Sequence, residues 1–440
     1  MSGLTRAALA ADLAGHAFGA PARASLMPRR IGAEAEFIPV ETGTGRRCPI
    51  EADGHISTLP FLRRFGAGHG WREGRTPKGT PCFLLPNGGS VTFEPGGQIE
   101  YSSPPCTTAT ELLTLLRSVI FPLCEAALGE GITLLSVGID PFNSVREAPL
   151  LLRGKRYGTM ADYLAKRGEA GARMMRQTAS FQMSLDLDDE PWLRWRLLNA
   201  AAPSMVAIFA NSPTYAGVST GFRSTRAQVW RTLDPQRTGL PYEVERPLER
   251  YLDFALAAPA MLLPSVDGEH RTFGEWLISA APSMEEWHDH LSTLFPEVRP
   301  RGHLEVRSPD AVAPRWYAAP IALAVGITYD PAASRAARDL LGSPDSELLE
   351  RAGRLGLRDP VLARTAADLF EIALAGCAGL GPRYFHPAEL EHAHAFFDQY
   401  SRRGRTPADD FHSDELGWDQ TAGTKVRVGS EPQPLHTVLT

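Results

Sequence analysis

The sequence predicts an α+β fold in which helices accompany an antiparallel sheet that has one apolar and one acidic face. The prediction rests on three observations. IGAEAEF (31–37), FQMSLDLD (181–188) and HLEVRS (303–308) alternate in polarity, and a strand sends successive side chains to opposite faces. Glu34 and Glu36 therefore share a side, as do Glu305 and Arg307, with Leu304 and Val306 opposite. From Pro314 onward the pattern turns mainly helical. Antiparallel sheets commonly bury one face and leave the other open, so acids from several strands can line one concave surface.

In order, residues 1–24 read as an N-terminal helix and linker, 25–402 as a single domain and 403–440 as a partly ordered tail rich in Gly, Pro, Asp and Ser. Residues 31–40 form the first strand, and the Gly-, Pro- and Arg-rich stretch 41–90 reads mostly as loops and short strands. VTFEPGGQIEYSS (91–103) is strand-like but broken at Pro95, Gly96 and Gly97, and it adds Glu94 and Glu100 to the acids. A helix follows over 107–127, stopped by Gly129, and ITLLSVGID (132–140) returns as a strand. Further helices fall at 190–209, 245–257 and 283–294, the last opening with the capping-box pair Ser283 and Glu286. No internal repeat is present.

Composition is globular, with 43% hydrophobic and 22% charged residues in 440. The net charge of −6 comes from 45 basic and 51 acidic residues interspersed along the chain, which excludes an extended field for nucleic acid or an anionic membrane. Five widely spaced cysteines, an odd number without a CxxC pair, argue against a disulfide framework or a zinc ribbon and point to reducing cytoplasm. Asp12 and His16 interrupt any apolar signal core, and Tyr317–Tyr329 falls short of the ~20 residues of a membrane helix.

Taken alone, Glu34 and Glu36 fit a solvated strand face, and Glu305 with Arg307 fits a surface ion pair as readily as a nucleotide site. Convergence changes the energetics. Five carboxylates gathered at about 7 Å repel by ~2 kcal/mol per pair at an effective dielectric of 20, roughly 20 kcal/mol over all pairs. That exceeds the ~5–15 kcal/mol stability of a domain, so such a cluster needs cations, protonation or arginine partners. Oxygen-only ligands favour Mg2+ or Mn2+ over zinc.

IGAEAEF, VTFEPGGQIEYSS, ARMMRQTASFQMSLDL, AIFANSP, GFRSTRAQVW, HLSTLFPEVRPRGHLEVRS and PADDF, in this order from about residue 30 to 411, resemble the glutamate–cysteine ligases of plants and many bacteria, including the branch that begins ergothioneine synthesis. The resemblance implies a glutamine synthetase-like catalytic domain, with a curved antiparallel sheet forming a half-barrel funnel backed by helices. It also implies ATP-dependent joining of L-glutamate and L-cysteine, with Mg2+ or Mn2+ as cofactor, in a cytoplasmic monomer or homodimer. On this resemblance Glu34, Glu36, Glu94, Glu100, Gln182 and Glu305 are metal ligands, and Arg307 contacts the transferring phosphate as catalytic and cofactor-binding residue. Arg176 and Arg226 hold glutamate, and Tyr251 lines the cysteine pocket or sits in the core. Ser184 departs from the family's usual Asn or His.

Other motifs carry less. GVSTG (217–221) matches a hydrolase nucleophile elbow, but Pro213 and Gly217 break the strand such an elbow needs. The E-x-x-H spacings among Glu389, Glu391, His392 and His394 lack the second helix of a di-iron site, and His290 reads as structural.

Overall fold

Alternation decides the sheet, and the sheet positions everything else. The computed structural model describes residues 4–19, 29–77, 79–239 and 246–411, with short strand pairs at 418–419 and 424–425. Nine strands form one antiparallel sheet: β1 (Ile31–Glu41), β2 (Arg72–Arg75), β3 (Pro81–Leu84), β4 (Ser90–Phe93), β5 (Ile99–Ser102), β6 (Ile132–Leu135), β7 (Phe181–Asp186), β10 (Val298–Pro300) and β11 (His303–Val306). The small hairpin β8 (Thr214–Tyr215) and β9 (Val218–Ser219) stands apart. The order is β10-β11-β7-β1-β5-β4-β3-β2, and β6 pairs with the far end of β1. Pro300 is tolerated because β10 is the edge strand.

One face is hydrocarbon. Ile31, Ala33, Ala35 and Phe37 of β1 are buried with Phe181, Met183 and Leu185 of β7, Ile99 and Tyr101 of β5, and Leu304 and Val306 of β11. This face meets a helical layer, in which Tyr317 stacks on Phe181 with ring centroids 4.4 Å apart. Every residue of the helix Ala318–Tyr329 is buried. Gly326 allows its close packing on the helix Pro360–Leu380, since a Cβ there would stand 2.1 Å from the Ala373 carbonyl oxygen. The helix Ala109–Gly129 is the one helix among the described residues long and apolar enough to cross a membrane, and it buries Leu112, Leu113, Leu116, Ile120 and Leu123 in the core.

Three expectations are revised. A helix, Thr58–Gly68, forms inside the stretch read as loops and short strands. Its buried Thr58, Leu59, Phe61, Leu62 and Gly66 follow a helical stripe that the surrounding Gly and Pro residues disguise. The strand expected over 132–140 is regular only to Leu135. Beyond it Gly138 passes so close to Asp310 that a Cβ would lie 2.4 Å from the carboxyl carbon, and the chain leaves the sheet. The expected tail starts inside the fold: Thr406 and Ala408 are fully buried, and Asp409 pairs with Arg223 at 2.6 Å. The N-terminal helix is Arg6–Asp12, continued by a wider π-turn over Leu13–Ala17.

Candidate active site

Register places the acids on the open face of the sheet. Glu36 lies opposite Glu100, Glu100 opposite Thr92, and Glu34 between Ser102 and Gln182. One rung further, Ser184 stands opposite Glu305, and Glu305 opposite Arg299. The result is a cavity of about 350 Å³ lined by Glu34, Glu36, Glu94, Glu100, Gln182, Arg226, Arg299, Arg301 and Arg307, with Tyr157, Trp230 and Phe295 among its apolar walls.

The EPGGQ turn between β4 and β5 holds Glu94 and Glu100 in place. Gly97 has φ +83°, a left-handed conformation that favours glycine, and a Cβ on Gly96 would stand 2.3 Å from the Arg176 carbonyl oxygen. Gln98 staples the turn, accepting from the Gly96 N–H at 3.1 Å and donating to the Thr178 carbonyl at 2.9 Å. Arg47 donates to the Gly96 carbonyl at 2.6 Å.

The carboxylates differ in their surroundings. Glu36 is oriented by the Ser180 N–H at 2.8 Å, the Ser180 hydroxyl at 2.9 Å and the Gln182 amide at 2.8 Å. Burial, with Glu305 and Glu36 nearby, pushes Glu34 up to about 7. Burial and the charges of Glu34, Glu94 and Glu36 raise Glu100 well above the ordinary range, against a hydrogen bond from Ser102 at 2.9 Å. These groups resist ionisation because burial and mutual repulsion outweigh what offsets them, the charges of Arg299 and Arg307 at Glu34 and the Ser102 hydrogen bond at Glu100.

Two expected metal ligands are committed elsewhere. Glu305 does not line the cavity: its carboxylate is buried beneath Arg299 (2.7 Å), Arg301 (2.9 Å) and Arg307 (2.7 Å), and these three guanidinium groups outweigh burial and hold it below the usual range. Gln182 turns its oxygen to Arg307 at 2.7 Å and its nitrogen to Glu36 at 2.8 Å. Reversing that amide would face nitrogen to guanidinium and oxygen to carboxylate, so the chemistry selects this orientation. Glu34, Glu36, Glu94 and Glu100 remain as an all-oxygen donor set that fits a hard divalent ion.

The other expected residues separate. Arg307 is central, packed between Trp230 at 5.2 Å and Phe295 at 5.8 Å. Arg226 also lines the cavity, but it donates to the Arg307 and Ser308 carbonyls at 2.8 and 3.4 Å and pairs with buried Asp310 at 3.8 Å. Asp310 in turn accepts from the Asn211 N–H, the Ser212 hydroxyl and the Ser224 hydroxyl at 2.7–2.9 Å, which explains the ANSP segment as scaffold. Arg176 is half-buried outside the cavity and touches the EPGGQ turn through its backbone. Tyr251 is a core residue, edge-on to Phe18 at 5.6 Å and to Trp195 at 6.0 Å, so the expected pocket wall is instead a support behind the arginines. Arg299 and Arg301 were not anticipated, although their two-residue spacing across the hairpin from Glu305 and Arg307 carries the signal.

The remaining motifs take structural roles. Ala216 and Gly217 have φ +47° and +80°, the mark of a tight hairpin turn, so GVSTG forms no elbow. Glu389 pairs with Arg117. His290 is buried, bonds the Ala255 carbonyl at 2.7 Å, and is pushed down to about 3 by burial.

The fold matches a solved glutamate–cysteine ligase from Francisella tularensis in complex with AMP, with a TM-score of 0.53 and 12% identity over 87% of this chain and 84% of that one. Architecture and acid-lined face together define the glutamine synthetase-like class of ligases. Residues 30–422 match Glutamate-cysteine ligase family 2. The chain is 34% identical to the glutamate–cysteine ligase EgtA of Mycolicibacterium smegmatis, covering 74% of this chain and 78% of that protein. It is 31% identical to the chloroplastic glutamate–cysteine ligase of Arabidopsis thaliana, covering 86% and 75%. The chain belongs to glutamate–cysteine ligase family 2 and is an enzyme of the ligase class.

Proposed function

We propose that this enzyme joins the γ-carboxylate of L-glutamate to the amine of L-cysteine at the expense of ATP, by way of a γ-glutamyl phosphate, releasing γ-glutamylcysteine, ADP and phosphate. The observation that carries this reading is the division of the cavity into an acidic wall and a cationic wall. Glu34, Glu36, Glu94 and Glu100 stand on one side, and Arg299, Arg301 and Arg307 stand on the other over the single charge of Glu305. A triphosphate needs both: guanidinium groups on its oxygens, and divalent ions between those oxygens and carboxylates. Glu34, Glu36, Glu94 and Glu100 would hold Mg2+ or Mn2+, which would supply neutralisation of phosphate charge when bound.

The chain's own groups supply the rest. A carboxylate is a poor electrophile, and attack of its γ-oxygen on the terminal phosphorus of ATP breaks the bond to ADP and forms an acyl phosphate. The amine then attacks the acyl carbon and phosphate leaves. Arg307, fixed by Glu305, Gln182, Trp230 and Phe295, bears on the transferring group without reorganising. Arg226 positions Arg307 through its carbonyl. The amine binds deprotonated or passes its proton to the departing phosphate. All five cysteines are free and buried, which supports a reducing, cytoplasmic setting.

A ligase on the same scaffold that accepts a different amine or acid is the second reading, because the acids and arginines of the sheet serve the triphosphate whichever acceptor the rest of the cavity wall, including Tyr157, Met160, Met174 and Trp230 on helices, admits. An ADP-release assay across twenty amino-acid acceptors, with and without Mg2+, separates the two. Release that requires glutamate and cysteine together is the expected result; strong turnover with another amine and none with cysteine selects the alternative.

A further inference from the structure

A second group of metal-ligating side chains lies away from the acidic cavity, where the N-terminal helix meets the helix Met284–Leu291. Asp12 ends the first helix and His16 stands four residues on, so the two share a face. Asp12 is 8% exposed, and its Oδ1 lies 2.8 Å from His16 Nδ1 and 3.0 Å from His288 Nε2. The three candidate ligand atoms fall within 4.8 Å of one another. The other oxygen of Asp12 accepts from the indole N–H of fully buried Trp287 at 3.0 Å.

We propose that Asp12, His16 and His288 bind a transition-metal dication of the zinc class that clasps the N-terminal helix to the helix Met284–Leu291. Bonds of ~2.0 Å to a tetrahedral ion place ligand atoms about 3.3 Å apart, so the two Asp12–histidine separations open by a few tenths of an ångström while the two imidazole nitrogens, now within 4.8 Å of each other, settle to the same spacing. Two imidazole nitrogens and one carboxylate oxygen suit Zn2+, Ni2+ or Cu2+ and disfavour Mg2+, the reverse of the all-oxygen cavity. The Trp287 indole fixes the carboxylate as hydrogen-bonded supports do in metal centres. His16 and His288 have side chains 77% and 48% exposed, so an ion reaches them from solvent and keeps a fourth position for water. The clasp also touches the cationic wall: Gly302, in the turn between β10 and β11, donates to the Ala17 carbonyl at 2.9 Å.

The test uses the full chain, stripped of metal and then titrated with Zn2+ by calorimetry in saturating Mg2+, which keeps the acidic cavity occupied. One Zn2+ per chain is expected, with affinity weakened at least ~10-fold by His16→Ala and by His288→Ala. Glu100→Gln and His392→Ala are expected to leave it unchanged. Co2+ in place of Zn2+ is expected to give the visible bands of a four-coordinate site, lost in His288→Ala. His16 is exposed, so its replacement reports on binding rather than on folding. Absence of Zn2+ binding in excess Mg2+, unchanged affinity in both histidine variants, or loss of binding in Glu100→Gln would each overturn the proposal.

Discussion

Glu100 shows how a single residue reports on the whole site. Its pKa is raised, first by burial and then by three carboxylate neighbours, so its side chain keeps its proton to higher pH than an ordinary glutamate. Glu100→Gln resembles that protonated form, so the metal-free variant is expected to melt within a few degrees of the parent. Its Mg2+-dependent rise in melting temperature and its turnover should fall by orders of magnitude, as should those of Glu94→Gln. Calorimetry with and without Mg2+ checks both, and a variant that keeps near-normal turnover would remove these glutamates from the site. Glu305→Gln behaves differently, because it strips the counterion from three crowded guanidinium groups. A loss of about 3–5 kcal/mol in stability is expected by denaturant titration, whether or not Mg2+ is present. Strand parity alone made the shared side of Glu34 and Glu36, and of Glu305 and Arg307, legible in the sequence. It could not show that Glu305 serves arginines rather than a metal, since that depends on Arg299 arriving from the neighbouring strand. The place of Tyr251 behind those arginines is likewise set by packing partners, such as Phe18, distant in the chain.

At the level of elements, two turns deliver the chemistry. The β10–β11 hairpin carries Arg299, Arg301, Glu305 and the approach to Arg307, so one edge hairpin builds the cationic wall. The EPGGQ turn builds much of the acidic one, and Gly96 is its tightest point. Gly96→Ala would drive a methyl group into the Arg176 backbone, a contact between two main chains that no rotamer change relieves. A stability loss of about 1–3 kcal/mol and at least a tenfold drop in kcat/KM are expected, the second because Glu94 and Glu100 flank the displaced turn. Wild-type kinetics in this variant would show that the turn does not position the ligands. The strands of the site were readable because alternation is a local signal. The helix Thr58–Gly68 was not, because its stripe is short and set among Gly and Pro residues, and it is held by burial of Leu59, Phe61 and Leu62 in the core.

For the whole molecule, gathering these carboxylates makes stability depend on pH in a direction opposite to that of an ordinary ion-paired protein. Glu34 is raised from 4.5 to about 7, so between these values the folded chain binds more protons than the unfolded one. Stability therefore falls as pH rises through that window, by on the order of 3 kcal/mol for this group, with Glu100 acting in the same direction. Glu305, held low by its arginines, has the opposite sign: its contribution is present above the ordinary glutamate value and is lost only as pH drops below it. Metal-free protein is thus expected to be most stable near pH ~5 and to lose several degrees in melting temperature by pH ~7.5. On the proposed assignment the ionised carboxylates hold Mg2+, so its stabilising effect is expected to grow over the same interval, reaching about 2.7 kcal/mol at a hundredfold excess over Kd. Scanning calorimetry from pH 5 to 7.5, with and without Mg2+, tests both slopes, and the double variant Glu34→Gln, Glu100→Gln isolates them from other titrating groups by flattening each. A metal-free melting temperature that climbs across this range in the parent, or a Mg2+ effect as large at pH 5 as at pH 7.5, would mean that the acidic wall does not hold its cations through these carboxylates.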